Sequence, residues 1–231
     1  ITSSFLMVDT CAGEFEAKTP YFYSTYLDQK SEYKIGKNIV ILGSGPIRIG
    51  QGIEFDYSTV HGVQAVRKAG YEAVVVNNNP ETVSTDFDAS DRLYFEPLDA
   101  ESIFEILDVE KPYGIILQLG GQTAVNLASE VEAYIQKEKL KTRILGTKVR
   151  DMDAAEDRGK CGELMRKAGI KMPKWAIAKN SDEVITRAVE IGFPVLVRPS
   201  FVLGGRGMEI VHNDKQLKKY LRLETHATPK R

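Results

Sequence analysis

The chain contains few of the residues that build metal clusters and disulfide frameworks. It has two cysteines and three histidines, and none of them occurs at the spacing of metal ligands. Its formal net charge is −1, so no positive excess predicts binding to nucleic acid or to a membrane surface. No apolar run approaches the roughly 20 residues that span a bilayer. We therefore expect no metal cluster, nucleic-acid partner or membrane partner, and two inert thiols in a reducing compartment, the cytoplasm.

The remaining composition is that of an ordinary globular protein. Hydrophobic residues make up 42% and charged residues 27% of 231 residues, enough for one large core or two modest ones. The first residue is Ile1 rather than Met, so we expect a processed or truncated chain whose ends need not be domain ends. Residues 1–35 hold aromatic side chains without a clean helical or strand period. They are predicted to form an extended tail and linker that packs on another part of the protein.

Short apolar segments alternate with amphipathic segments from residue 36 to residue 150. Three runs rich in β-branched residues predict buried strands, at residues 38–42, 73–76 and 113–117. Two amphipathic segments at residues 59–69 and 123–135 predict helices. Continuously apolar strands that alternate with helices predict a parallel sheet covered on both faces.

The pattern changes near residue 150. The helices predicted beyond it are residues 158–168, 181–191 and 213–221, and the predicted strands are residues 174–178, 194–198 and 208–211. This mixture predicts an α+β lobe that is distinct from the preceding sheet.

A glycine-rich loop follows the first predicted strand, at residues 43–52. A dinucleotide-binding fingerprint would need a glycine at Arg48 and an acidic residue after the second strand, where residues 77–79 are asparagines. A phosphate-binding P-loop would need Lys and Ser or Thr in place of Gln51 and Gly52. Two interpretations stay open: tight turns at the carboxyl edge of a parallel sheet, or one wall of a substrate crevice. The other loops expected at that edge are residues 77–82 and 118–123.

A second glycine-rich loop lies between the strands predicted in the α+β lobe. A strand delivers Arg198 to a loop that contains Gly204 and Gly205. Glycines let backbone N–H groups approach phosphate oxygens, and the planar fork of arginine matches phosphate geometry. The loop is thus interpreted as a flap over a triphosphate, or alternatively as a surface hairpin with solvated arginines.

Five sequence runs occur together along most of the chain. They are GSGPIRIGQGIEFDY (43–57), NNNPETVSTDFDASDRLYFEPL (77–98), GGQTAVNLA (120–128), AEDR (155–158) and RPSFVLGGRGMEIV (198–211). Together they resemble the large subunit of carbamoyl-phosphate synthetase, and in particular its second, carbamate-phosphorylating half. Residues 8–26 resemble the end of the oligomerisation domain that precedes this half, and the resemblance weakens after Tyr220.

The resemblance implies the domain organisation. Residues 1–35 would be the tail of the oligomerisation domain and a linker, and residues 36–150 a parallel-sheet pre-ATP-grasp domain of α/β class. Residues 151–231 would be the first part of an incomplete α+β ATP-grasp domain.

The resemblance also implies a reaction and its site. The family phosphorylates carbamate with ATP to give carbamoyl phosphate, using Mg²⁺ (or Mn²⁺) and K⁺. By the family pattern Arg158 and Arg198 contact nucleotide phosphates, and Gly204 and Gly205 belong to the loop over them. The implied partners are a glutaminase small subunit or domain, the rest of the large subunit and other protomers of an oligomer. The pathway, arginine or pyrimidine biosynthesis, stays open.

The family's metal-binding residues and adenine pocket come later in the ATP-grasp domain than the residues present here. No metal ligand is therefore assigned, no catalytic residue is named, and the chain alone is expected not to make carbamoyl phosphate. Two other interpretations are a different ATP-grasp carboxylase, such as a biotin carboxylase, and a non-catalytic truncated module. A nicotinamide dehydrogenase is disfavoured by Arg48 and by the asparagines at 77–79.

Overall fold

The computed structural model of the chain describes residues 3–9, 14, 19–27, 36–198 and 207–224, with the side chains of residues 223 and 224 left out. The chain forms two compact units, residues 1–153 and residues 154–231. Within the described residues, no helix is both long enough and apolar enough to cross a bilayer.

A seven-stranded sheet is the centre of the first unit. Its strands are β1 (Ser4–Met7), β2 (Tyr21–Thr25), β3 (Asn38–Leu42), β4 (Glu72–Val76), β5 (Arg92–Tyr94), β6 (Gly114–Ile116) and β7 (Arg143–Leu145). The order across the sheet is β1-β2-β5-β4-β3-β6-β7, and every neighbouring pair is parallel except β1 and β2. The strand order reverses direction at β3, so the loops after β3 and β6 leave the carboxyl edge at a topological switch point.

Helices cover both faces of this sheet. They are α1 (Glu54–Lys68), α2 (Ala100–Glu110), α3 (Gly121–Asn126), α4 (Ala128–Lys137) and α5 (Val149–Glu156), with one 3-10 turn at Val83–Thr85. The side chains of β3 alternate between two cores, because Val40 and Leu42 pack on the side of α2 and α4, and Ile39 and Ile41 on the side of α1. The predicted parallel sheet with two covered faces is therefore confirmed.

Residues 4–7 and 21–25 form strands that the sequence did not predict. Phe22 is buried and stacks on Tyr94 with ring centroids 5.4 Å apart, and Phe5 meets the same ring edge-on at 5.0 Å. Ser24 donates to the buried carboxylate of Glu96 through both its backbone N–H and its hydroxyl group. Burial raises the pKa of Glu96 above its ordinary value. Strand β2 thus belongs to the sheet because its aromatic side chains complete the core.

Two predicted helices of the first unit differ from the structure. Helix α1 begins at Glu54 rather than at residue 59, and its first turn carries Glu54 and Asp56, where acidic groups suit the helix dipole. The single helix predicted at 123–135 is two helices that meet at Leu127.

A fully buried carboxylate joins the end of helix α2 to strands β3 and β5. Glu110, the last residue of α2, accepts hydrogen bonds from Arg92, Tyr94 and Asn38. Arg92 also pairs with the half-exposed Glu72 at 2.9 Å. Burial by itself lowers the pKa of Arg92, but the hydrogen bonds and charges of Glu110 and Glu72 raise it above its ordinary value.

The second unit combines helices with one antiparallel strand pair. Its elements are α6 (Arg158–Lys167), α7 (Ser181–Ile191), β8 (Val195–Val197), β9 (Glu209–Val211) and α8 (Asp214–Glu224). Asn180 caps α7 by accepting from the Glu183 N–H at 2.9 Å, and the Glu183 carboxylate accepts from the Lys179 N–H at 2.9 Å. A small core around Val211 and Leu217 holds α7, α8 and the two strands together.

The strand predicted at residues 174–178 is not present. Residues 171–178 have no regular secondary structure, and the side chains of Trp175 and Ile177 lie against helix α6. A methyl group placed on Gly162 would come within 2.1 Å of the Trp175 ring, and one on Gly159 within 2.9 Å of Ile177. The prediction of a strand was therefore wrong, because these side chains contact a helix rather than a sheet.

Candidate functional site

The side chain of Asn77 organises the loops at the carboxyl edge of β3 and β4. Its Oδ1 atom accepts from the Gly45 N–H at 3.1 Å and from the Asn79 N–H at 3.2 Å. Its amide group faces the Ser84 hydroxyl group at 3.4 Å, and Asn79 Nδ2 donates back to the Gly45 carbonyl at 3.5 Å. The asparagines stand where a dinucleotide-binding fold has an acidic residue that binds the ribose. Here their side chains hydrogen-bond within and between the loops, which supports the interpretation of residues 43–52 as tight turns.

The loops after β3 and β6 touch through their backbones. A Cβ atom on Gly120 would lie 2.1 Å from the Gly43 carbonyl oxygen, so only glycine fits at this point. Gly121 has a φ of +65°, and the Phe55 ring lies directly against it. The carboxyl edge at the switch point is thus closed by contacts between the loops.

Asp56 joins the start of α1 to the 3-10 turn at Val83–Thr85. Its two carboxylate oxygens accept from the N–H groups of Val83 and Ser84, both at 3.0 Å. Around this cap several large apolar side chains are exposed, namely Ile49, Ile53, Tyr57, Val83 and Phe87. The hydrogen bonds of Asp56 therefore hold helix α1 and the 3-10 turn together in a part of the surface that exposes apolar side chains.

Arg198 follows β8 at the start of the second glycine-rich loop, as the sequence predicted. The side chain of Arg198 is exposed. Gly204 and Gly205 lie outside the described residues. On the far side of the loop, Gly207 has a φ of +67°, and its carbonyl oxygen accepts from the Tyr220 hydroxyl group at 2.6 Å. Helix α8 thereby anchors the returning end of the loop.

Arg158 is the first residue of helix α6. The preceding residue, Asp157, caps this helix by accepting from the Lys160 N–H at 2.9 Å. The side chain of Arg158 is exposed. Both arginines that the resemblance singles out thus lie in the second unit, one at the start of a helix and one at the end of a strand.

The described residues contain no group of three or more His, Cys, Asp or Glu side chains placed to hold a metal ion. No residue of this part of the chain is therefore assigned as a ligand of Mg²⁺, Mn²⁺ or K⁺.

Solved structures with a similar fold are carboxylases and synthetases. One is the biotin carboxylase domain of the 2-oxoglutarate carboxylase of Hydrogenobacter thermophilus, in complex with MgADP, ADP and bicarbonate, with 24% identity and a TM-score of 0.57. The match covers 79% of this chain and 39% of that one. A second is N5-carboxyaminoimidazole ribonucleotide synthetase from Thermus thermophilus, with 14% identity, a TM-score of 0.57, and coverage of 80% and 43%. The chain therefore spans about two fifths of the length of these proteins.

These likenesses concern the fold alone. Two family models then match the sequence in succession. Residues 35–154 match the carbamoyl phosphate synthase preATP-grasp domain, and residues 157–230 match the carbamoyl-phosphate synthase L chain, ATP binding domain. The chain belongs to the family of the carbamoyl-phosphate synthase L chain. The predicted class, a parallel-sheet pre-ATP-grasp domain followed by an α+β ATP-grasp domain, is confirmed.

Sequence reasoning missed two features near the proposed site residues. The contact of Trp175 with Gly162 was not predicted, because residues 174–178 were interpreted as a strand. The spacing of three residues between Gly159 and Gly162 was an available signal, since it places both glycines on one face of a helix. The Tyr220–Gly207 hydrogen bond had no signal in the sequence, because it joins a helix to a loop end across 13 positions.

Proposed function

We propose that this chain is part of the large subunit of a glutamine-dependent carbamoyl-phosphate synthase and contributes to the phosphorylation of carbamate by ATP. The observation that carries this proposal is the succession of the two family domains, in which Arg198 stands directly before the second glycine-rich loop. The term intact protein denotes this chain continued through a complete ATP-grasp domain.

The proposed step is a phosphoryl transfer. A carbamate oxygen forms a bond to the γ-phosphorus of ATP, the bond from that phosphorus to the β–γ bridging oxygen breaks, and ADP leaves with that electron pair. No proton is consumed, because one carbamate and one ATP give carbamoyl phosphate and ADP with the same total charge. Such reactions depend on positioning and on neutralising phosphate charge.

The roles of this chain's residues follow from that requirement. Arg158 and Arg198 bind phosphate oxygens, where guanidinium groups form charge-assisted and often bidentate hydrogen bonds. Gly204 and Gly205 let backbone N–H groups approach the same phosphates. A divalent cation supplies further charge neutralisation when bound, and its ligands would come from outside the described residues.

Several finer statements belong to the same proposal. The partners are a glutaminase subunit or domain that supplies ammonia, the rest of the large subunit, and other protomers of an oligomer. The cofactor is ATP with Mg²⁺, in keeping with the MgADP named for the H. thermophilus carboxylase domain. The compartment is the cytoplasm. The chain by itself, without the rest of an ATP-grasp domain, makes no carbamoyl phosphate.

A second candidate is a biotin carboxylase, favoured by the fold of the H. thermophilus carboxylase domain. One assay separates the two: the intact protein is given ATP with either carbamate or bicarbonate plus biotin, and carbamoyl phosphate and carboxybiotin are both measured. We expect carbamoyl phosphate only. Formation of carboxybiotin alone would overturn the proposal in favour of the second candidate.

The site itself is tested with two variants of the intact protein, one that removes the charge of Arg198 and one that keeps it. Arg198→Ala should weaken ATP binding by about 10- to 100-fold, the range of charge-assisted hydrogen bonds. Arg198→Lys should bind ATP with intermediate affinity, because it keeps the charge but loses the planar fork. Unchanged ATP affinity in Arg198→Ala would contradict the assigned role.

A further inference from the structure

One face of helix α6 is flat because it carries two glycines. Gly159 and Gly162 lie three residues apart, so both face the same side of the helix. Gly162 is the one residue of α6 that is buried in the described structure. A glycine in a helix interior costs about 1 kcal/mol relative to alanine, so Gly162 weakens the helix unless a neighbour packs on it.

The neighbour is the single tryptophan of the chain. A methyl group on Gly162 would lie 2.1 Å from Trp175 Cζ2 and 2.6 Å from Cε2, so the indole ring rests directly on the helix backbone. Ile177 packs beside it, where a methyl group on Gly159 would lie 2.9 Å from the Ile177 Cδ1 atom. The indole is rigid, whereas the Cδ1 atom is the far end of a flexible side chain.

The indole lies one helical turn from Arg158. Residues i and i+4 share a face of a helix and are about 6 Å apart along its axis. Gly162 therefore lies on the same face as Arg158, one turn further along the helix. Asp157 caps the helix and fixes where the first turn begins. The orientation of the Arg158 backbone therefore depends on how α6 is seated on Trp175.

We propose that Trp175 is a positioning residue for Arg158, and that its indole, by resting on Gly162, sets the place from which the guanidinium group reaches a nucleotide phosphate. The inference rests on the proposed function, because it gives Arg158 a phosphate to bind. Trp175 itself touches no substrate in this proposal and acts only through the helix.

The test is a double-mutant cycle in the intact protein, with ATP affinity measured by equilibrium dialysis. Arg158→Ala should weaken ATP binding by about 10- to 100-fold. Trp175→Ala should weaken it by about 10-fold, and Trp175→Phe, which keeps a flat ring on Gly162, should restore most of the affinity. In the Arg158→Ala background, Trp175→Ala should have no further effect, because coupled residues are not additive.

A pair of glycine variants supplies a control that does not remove the indole. Gly159→Ala and Gly162→Ala both add one methyl group to helix α6, but only Gly162→Ala pushes against the rigid ring. We expect Gly162→Ala to weaken ATP binding by several-fold more than Gly159→Ala. The fluorescence of Trp175 in wild-type protein should also change on addition of ATP, and this change should be absent in Arg158→Ala.

The outcomes separate the two proposals. If Arg158→Ala binds ATP as the wild type does, the assigned nucleotide role of Arg158 fails, and the positioning role fails with it. If Arg158→Ala is impaired but Trp175→Ala weakens binding equally in both backgrounds, only the positioning role fails, because a purely structural effect is additive. Urea unfolding of each variant identifies one that does not fold, in which case Trp175→Phe and the glycine pair decide the question.

Discussion

Removing the charge of Glu110 is expected to destabilise the first unit severely. Its carboxylate is completely buried, and each oxygen accepts two hydrogen bonds. Arg92 Nε and Nη2 donate at 2.9 and 3.0 Å, Tyr94 OH at 2.5 Å, and Asn38 Nδ2 at 2.6 Å. Glu110→Ala removes the buried partner of Arg92, whose side chain is 7% exposed, and leaves the ion pair of Arg92 with the half-exposed Glu72.

The expected loss follows from that burial. Breaking a buried ion pair by removing one partner costs about 3–5 kcal/mol, because a buried charge is left uncompensated. The matched control is Glu72→Ala, which removes the other carboxylate of the same arginine. Because Glu72 is 39% exposed, solvent screens its pair, and its loss should cost about 1 kcal/mol or less.

The assay is urea unfolding of the 231-residue chain followed by far-ultraviolet circular dichroism. We expect the unfolding midpoint of Glu110→Ala to fall well below that of Glu72→Ala. Equal midpoints for the two variants would refute the reasoning. They would mean that burial of the carboxylate does not determine how much its ion pair contributes to the free energy of unfolding.

Three further predictions concern smaller contacts of the first unit. Burial raises the pKa of Asp91, but Arg67 and a backbone N–H lower it more, so the folded-state pKa lies below its ordinary value. Asp91→Asn should therefore cost about 1 kcal/mol at pH 7. The difference in unfolding free energy should begin to shrink as pH falls below about 4 and vanish below the lowered folded-state pKa; a constant difference would contradict this. Asp56→Ala should cost about 1 kcal/mol, as does the loss of other caps, and hydrogen exchange should accelerate at Val83 and Ser84, whereas unchanged exchange would count against the cap. Gly120→Ala should cost about 1–3 kcal/mol, the usual range for overpacking, measured by urea unfolding, and a neutral substitution would show that the loops separate easily.

The strands of the first unit could be predicted where their own residues carry the signal. The run at 38–42 is apolar and β-branched throughout, and a strand buried on both faces needs no other information. Strand β2 could not be predicted, because residues 21–25 become a strand only through Phe22 packing on Tyr94, a residue far along the chain. The first turn of α1 could have been found, since Glu54 and Asp56 are a helix-start signal that was overlooked.

The same limit applies to the second unit. The helix at 181–191 carries its own cap in Asn180 and Glu183 and was predicted with its observed bounds. The strand prediction for residues 174–178 was wrong because the sequence does not say whether Trp175 and Ile177 contact a sheet or a helix. The positions of Arg158 at a helix start and Arg198 at a strand end were predicted, whereas their phosphate contacts stay predictions that only a bound nucleotide can test.

The most direct test of the account is a structure of the intact protein with a non-hydrolysable ATP analogue. We predict that the guanidinium groups of Arg158 and Arg198 both lie within about 3 Å of phosphate oxygens, and that the loop carrying Gly204 and Gly205 covers those phosphates. A triphosphate bound away from both arginines would contradict the account.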